Sequence, residues 1–282
     1  MKYMVLYSGK INYFEGKKML KTTIRNPYQT SYTIETNCKD LVSSLKLKHG
    51  KYAMPYSFET DYTIKAIKED NQYKIISSDF NLSTDMPLKK IKDIMYETRK
   101  YDDNIFPIHG GAVEHNGGAY LIVASTTSGK TTLTSYLTSN GFGYITDDCI
   151  LLDRNTFNIY PFTTPLHLRG GGYDVLKKIN CLPDNLTFLD DVYIKRYVYT
   201  PNNLITEPLP LKKIFFITRC EDKNFLMQMS TNEKITELLK SPIQEFKLDG
   251  KYLRFISKLA SMPCQRLYYS DMNFVKEVIE NG

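Results

Sequence analysis

The stretch from Tyr120 to Leu137 constrains the fold more than any other part of the sequence. Tyr120-Leu-Ile-Val-Ala124 is a short, continuous apolar run, the pattern of a strand buried on both faces. Ser125-Thr-Thr-Ser-Gly-Lys130 follows with no apolar residue. Leu133, Tyr136 and Leu137 then fall on one face of a helix expected from Thr131 to about Ser139. Asn140-Gly141 closes that helix, because glycine suits the left-handed C-cap position. A buried strand feeding a helix through such a loop predicts an α/β fold.

The loop also carries chemistry. The phosphate-loop pattern is G-x-x-x-x-G-K-[ST]. Gly129-Lys130-Thr131 match its second half, and Ala124 stands where the first glycine would be. The backbone N–H groups of Thr127 to Thr131 can wrap an anion at a helix N-terminus, where the macrodipole favours negative charge. The expected nucleotide-binding set is Thr126, Thr127, Ser128, Gly129, Lys130, Thr131 and Thr132. Lys130 would reach the β- and γ-phosphates, and the Thr131 hydroxyl would join a Mg²⁺ shell. The sequence thus predicts a P-loop phosphate-binding core.

One helix further on, Tyr144-Ile-Thr146 begins a strand that runs into Asp147-Asp148. Ligands of open α/β sheets bind at the carboxyl ends of strands. Adjacent strand residues point to opposite sides, so the two carboxylates separate, one toward metal and one toward substrate. Phosphoryl transfer needs an acid to hold Mg²⁺ and a base to orient the attacking hydroxyl. His109 lies on the strand Ile108–Glu114, which a turn at Asn116-Gly117-Gly118 returns toward the loop. It is the third expected site residue, near the base.

Composition removes several classes. The chain has 282 residues, of which 42% are apolar, enough for a sizeable core. A net charge of +6, spread along the chain, gives no basic stripe for nucleic acid. No run of about 18 apolar residues predicts a membrane span, and the N-terminus has too short an apolar run for a signal peptide. The five cysteines form no CxxC pair, which argues against a zinc site or a disulfide framework. A reducing, cytoplasmic location follows as the expectation.

Residues 1–100 read as a β-rich accessory domain. Thr30–Glu35, Asp61–Ile67 and Tyr73–Ile76 are its strands, and Leu88, Ile91, Ile94 and Met95 mark a helix to about Tyr101. Residues 101–282 read as the catalytic domain. Beyond the aspartates, short strands are expected at Cys149–Leu152, Asn158–Tyr160 and Leu166–Leu168, and a longer one at Leu211–Thr218. Helices are expected at 233–239, 252–262 and 272–279, a strand at 265–269, and loop at 201–210.

The segment His109–Gly172 resembles the catalytic domain of the HPr serine kinase/phosphorylase family. The resemblance lies in the order and spacing of His109-Gly110, the hairpin turn, Ser128-Gly-Lys-Thr131, Asn140-Gly141, Asp147-Asp148 and Leu168-Arg-Gly-Gly-Gly172. The remainder is similar to HPr-kinase-related proteins of modified-peptide biosynthesis. The resemblance implies a fold like phosphoenolpyruvate carboxykinase. It also implies an ATP- and Mg²⁺-dependent kinase acting on a hydroxyl, of Ser or Thr in a peptide or protein. Asp147 matches the family's base, Asp148 and Thr131 its metal positions, Lys130 its phosphate lysine and His109 the histidine near the base. Two departures stand out. His167 occupies the place of a metal-binding Glu, and a later Pro-Gly-Arg-Asn loop is missing, for which Lys195 or Arg196 is a substitute cation. A nucleotide sensor without transfer and a small-molecule kinase are the alternatives, and a homo-oligomer is left open.

Overall fold

The computed structural model describes residues 13–14, 16–25, 28–54, 59–124, 128–190, 195–243 and 249–282. The chain divides into two compact units, Met1–Lys100 and Tyr101–Gly282. Among the described residues no helix is long and apolar enough to cross a membrane.

In the first unit β1 (Tyr13–Phe14) and β2 (Lys17–Lys18) make a short antiparallel pair. The main sheet has the order β5-β3-β4-β6-β7-β8, from β3 (Leu20–Ile24), β4 (Tyr32–Thr36), β5 (Ala53–Met54), β6 (Tyr62–Glu69), β7 (Gln72–Ile76) and β8 (Asn81–Thr84). Helices α1 (Lys39–His49) and α2 (Pro87–Thr98) cover it. Ile34, Ile64 and Ile75 of the sheet pack with Leu41 and Leu45 of α1 and with Leu88, Ile91 and Ile94 of α2. Helix α1 is an element that the reading of residues 1–100 as β-rich did not name. It was hard to read because its only buried residues are Leu41 and Leu45, among lysines and serines. It lies in the connection between β4 and β6, which are parallel and so need a crossover. Helix α2 stops at Thr98, short of Tyr101, because Arg99 turns to extended backbone.

The second unit begins with the hairpin of β9 (Ile105–His115) and β10 (Gly118–Val123). Its two turn residues, Asn116 and Gly117, have φ of 48° and 71°, the paired positive values that two-residue hairpins favour. Then come α3 (Lys130–Ser139), β11 (Gly143–Thr146), β12 (Cys149–Asp153), β13 (Asn158–Tyr160), β14 (Leu166–Leu168) and α4 (Gly170–Lys178). After these follow β15 (Thr187–Asp190), β16 (Lys195–Tyr199), β17 (Leu209–Arg219), β18 (Phe225–Gln228), α5 (Thr231–Lys240), α6 (Gly250–Ala260), β19 (Cys264–Tyr269) and α7 (Met272–Glu280). The helix α4 was not foreseen, since its first turn is three glycines. The expected loop 201–210 gives way to strand at Leu209.

The large sheet runs β10-β9-β12-β13-β17-β19-β18, with β11 also on β9 and β10 also on β17. The neighbours β10, β17 and β19 are parallel. Their apolar runs are continuous because both faces are covered. Leu121, Val123, Ile214 and Phe216 pack with Leu238, Ile256 and Leu259 from α5 and α6. Tyr120, Ile122, Phe215 and Ile217 pack with Leu133, Leu137, Val275 and Ile279 from α3 and α7. The unit is therefore a mixed α/β fold, with helices on both sides of a central sheet. A separate small sheet has the order β14-β16-β15.

Strands β11 and β12 run in turn along one edge of β9, with Thr146 opposite Ala112 and Cys149 opposite His109. Asp147 and Asp148 fall between those pairs, level with Gly110 and Gly111. A Cβ on Gly111 would lie 2.5 Å from Thr134 Oγ1 of α3. The bare backbone there lets the helix settle on the strand beside the aspartates. We predict that Gly111→Ala lowers unfolding free energy by about 1–3 kcal/mol in urea titration, the usual cost of overpacking. Gly171→Ala meets open space in α4 and should be neutral or stabilising by up to ~1 kcal/mol. Equal effects at the two positions would contradict the packing argument.

Candidate active site

Helix α3 starts at the expected loop. Gly129 is its N-cap at φ 89°, ψ 10°, a left-handed conformation that glycine adopts without steric cost. Thr126 and Thr127 lie outside the described residues. Ser128, Gly129, Lys130, Thr131 and Thr132 lie at or just before the start of α3. Lys130 is buried, at 7% exposure, and its Nζ donates to the Ala124 carbonyl at 2.8 Å. Burial pulls its ammonium below the usual 10.5, while Asp147 and then Asp148 draw it back up.

Asp147 is 8% exposed. Burial pushes its carboxyl from 3.8 up to about 7. The Thr131 hydroxyl, the Lys130 charge and the Thr134 hydroxyl favour the ionised form, and the Asp148 carboxylate opposes it. Nonetheless Asp147 Oδ1 and Thr134 Oγ1 are both buried with no hydrogen bond among the described residues. The two threonines are near enough to bias the charge, but they leave an acceptor oxygen and a hydroxyl unfilled. Buried polar atoms are rarely left so, and an exception calls for an explanation such as a catalytic role or an ion.

Asp148 points the other way, with its side chain 84% exposed. The two carboxylates are therefore separated, in the bend between β11 and β12 and not by alternation along a strand. His109 reaches Asp148, with Nδ1 3.4 Å from Oδ1 and 3.2 Å from the backbone carbonyl. The histidine thus engages the exposed aspartate, while Thr131, expected beside Asp148, has its hydroxyl by Asp147. His167 sits on β14 opposite Val198. Lys195 pairs with Asp190 at 3.6 Å, and Arg196 Nη1 donates to the Lys195 carbonyl at 2.7 Å.

Three contributions escaped the sequence. Thr134 is three residues after Thr131, so helical spacing places both on the face toward Asp147, and that signal was available. Gly172 lets α4 approach α3, since a Cβ there would lie 2.6 Å from Thr132 Oγ1. Tyr269, at the end of β19, brings its hydroxyl to 3.2 Å from where a Gly129 Cβ would stand. Nothing local marks that last approach, because it joins residues far apart in the chain.

The donors around Asp147 test whether a magnesium ion fits. The Thr131 hydroxyl and the two carboxylates are oxygens, the ligand type Mg²⁺ prefers. Among the described residues no group of three His, Cys, Asp or Glu side chains could hold a metal.

No protein-family model matches the chain, and no curated protein matches it. The structure of the HPr(Ser) kinase/phosphatase from Coxiella burnetii is similar to it with a TM-score of 0.32 and 10% identity, over 62% of this chain and 94% of that one. Similarity at that level carries neither fold nor activity across, and the site stands on its own residues.

The raised Asp147 value has a consequence for stability. Its folded pKa of about 7 lies above the unfolded 3.8, so the folded state prefers the neutral acid. Stability contributed by that form is present at low pH and is lost as pH rises from about 4 through 7. The loss is roughly 4 kcal/mol at most, at ~1.4 kcal/mol per pKa unit. The Asp147→Asn variant should flatten the melting temperature across pH 4–8 and melt above wild type at pH 8. A wild-type profile that falls no more steeply than the variant's would mean that Asp147 is ionised throughout.

Proposed function

We propose that this protein is a kinase that transfers the γ-phosphoryl group of ATP to a hydroxyl, with Ser or Thr of a peptide or protein as acceptor. One observation carries the reading: a buried carboxylate, with an acceptor oxygen unfilled and a pKa near neutrality, lies against the N-terminus of α3 beside Lys130 and Thr131. A general base works best when its pKa is close to the operating pH. The motif order from His109 to Gly172 supports the same reading.

In this scheme the amides of Ser128 to Thr131 and the Lys130 ammonium hold the β- and γ-phosphates. Lys130 exchanges its bond to the Ala124 carbonyl for a phosphate oxygen. Asp147 accepts the acceptor's hydroxyl proton as that oxygen attacks the γ-phosphorus. The bond from γ-phosphorus to the bridging oxygen breaks, and ADP leaves with the electron pair. Thr131 and one of the two carboxylates would hold Mg²⁺, which would supply positive charge to the phosphates. His109 holds Asp148 in position.

A nucleotide sensor is the competing reading, favoured by His167 in place of a carboxylate. Incubation with Mg-ATP and a panel of Ser/Thr peptides and small alcohols separates the readings by mass spectrometry. A phosphopeptide supports the proposal, whereas slow ATP loss with no acceptor modified favours the sensor. Lys130→Ala should weaken ATP binding by about tenfold or more. Asp147→Asn should bind ATP nearly as wild type but lower kcat by about 10²–10⁴. Transfer by Asp147→Asn at the wild-type rate would remove Asp147 as the base.

A further inference from the structure

A cavity of about 430 Å³ opens on the other side of α3 from Asp147's neighbours Thr131 and Thr134. Gly129, Thr132 and Tyr136 line it, with Val175 of α4, Ile179 just past the end of α4, and Tyr269. Arg219, which ends β17, and Asp271, the N-cap of α7 just beyond β19, lie near the carboxyl edge of the parallel strands. That edge is where ligands of α/β sheets bind, and the volume suits a small-molecule site.

Tyr269 is the telling residue. It is 2% exposed, and a tyrosine hydroxyl so placed can donate to a group that enters beside it. Here the hydroxyl faces the cavity immediately beside Gly129. Burial pushes its pKa up to about 12, with Arg219 pulling it down, so it stays a proton donor. Asp271 uses Oδ1 to cap α7 through the Asn273 amide at 2.9 Å. Its other oxygen is left to accept a hydrogen bond.

The geometry points to this cavity as the seat of the α-phosphate and nucleoside of the bound nucleotide, an inference that rests on the loop being a phosphate site. Phosphates at the N-terminus of α3 continue past Gly129 and Thr132 into the cavity. The Tyr269 hydroxyl donates to an α-phosphate oxygen there, and Arg219 adds a cation at the mouth. Asp271 accepts from the ribose hydroxyls. Tyr136 lies one helical turn beyond Thr132, a step of about 5.4 Å, and with Val175 and Ile179 it offers an apolar slot for a planar base. The mixture of a few converging polar groups with apolar walls is what small-ligand sites require.

The test is calorimetric titration of the full chain with ATP, AMP and inorganic tripolyphosphate. Tyr269→Phe should weaken ATP and tripolyphosphate alike, about tenfold, the worth of a hydrogen bond to a charged group. Ile179→Trp fills the slot from an exposed position and should weaken ATP and AMP about tenfold or more while sparing tripolyphosphate. Lys130→Ala should weaken both ATP and tripolyphosphate. If Tyr269→Phe and Ile179→Trp bind ATP as wild type does while Lys130→Ala does not, the nucleoside lies elsewhere and the loop assignment stands. If Lys130→Ala also binds as wild type does, or wild type binds no tripolyphosphate, the phosphate reading falls and this inference with it.

Discussion

A carboxylic acid held in the protein interior against a helix N-terminus is the constraint on which the rest of the site depends. Taking a carboxylate out of water is costly unless it is paired, and otherwise the group shifts toward its neutral form. Asp147 takes that course. Lys130 and Thr131 offset part of the cost and burial outweighs them, which leaves a group balanced between acid and base near neutral pH. Moving α3 outward by a side chain's width would rehydrate the carboxyl and end that balance. Gly111 of β9 is what lets α3 sit that close, because Thr134 rests where a Cβ of Gly111 would be.

The sheet supplies the second half of the geometry. Strands β10, β17 and β19 run parallel, so their carboxyl ends gather at one edge. The segment leading to α3 follows the first, Arg219 ends the second and Tyr269 the third. Helices α3, α4 and α7 converge over that edge, and the cavity is the space they leave. Burial on both faces holds these strands in register. Each alternate side chain has its own helix layer to fill, and a slip by one residue would exchange the layers.

Much of this core was legible in the sequence because its signals are local. The apolar run at Tyr120–Val123, the Asn116-Gly117 turn and the Gly129-Lys130-Thr131 helix start each follow from neighbouring residues. The opposite facing of Asp147 and Asp148 comes instead from the bend between β11 and β12. The start of α5 was readable too: Ser230 and Glu233 form a capping box, though the helix was expected only from 233. The helix α1 escaped because its apolar stripe is narrow, and α4 because a glycine triplet reads as a loop. Gly172 makes sense only once Thr132 is seen against it. The pairing of His109 with Asp148, and the approach of Tyr269 to Gly129, join distant parts of the chain and have no local signature.

The bond from Lys130 Nζ to the Ala124 carbonyl means that the ammonium has already exchanged water for a protein oxygen. Most cationic side chains must shed a hydration shell before they can grip an anion, and that step opposes binding. Here part of that dehydration takes place when the chain folds, since Lys130 is buried. An anion at this helix N-terminus would meet a cation already turned from water, so the chain's own carbonyl stands in for a ligand.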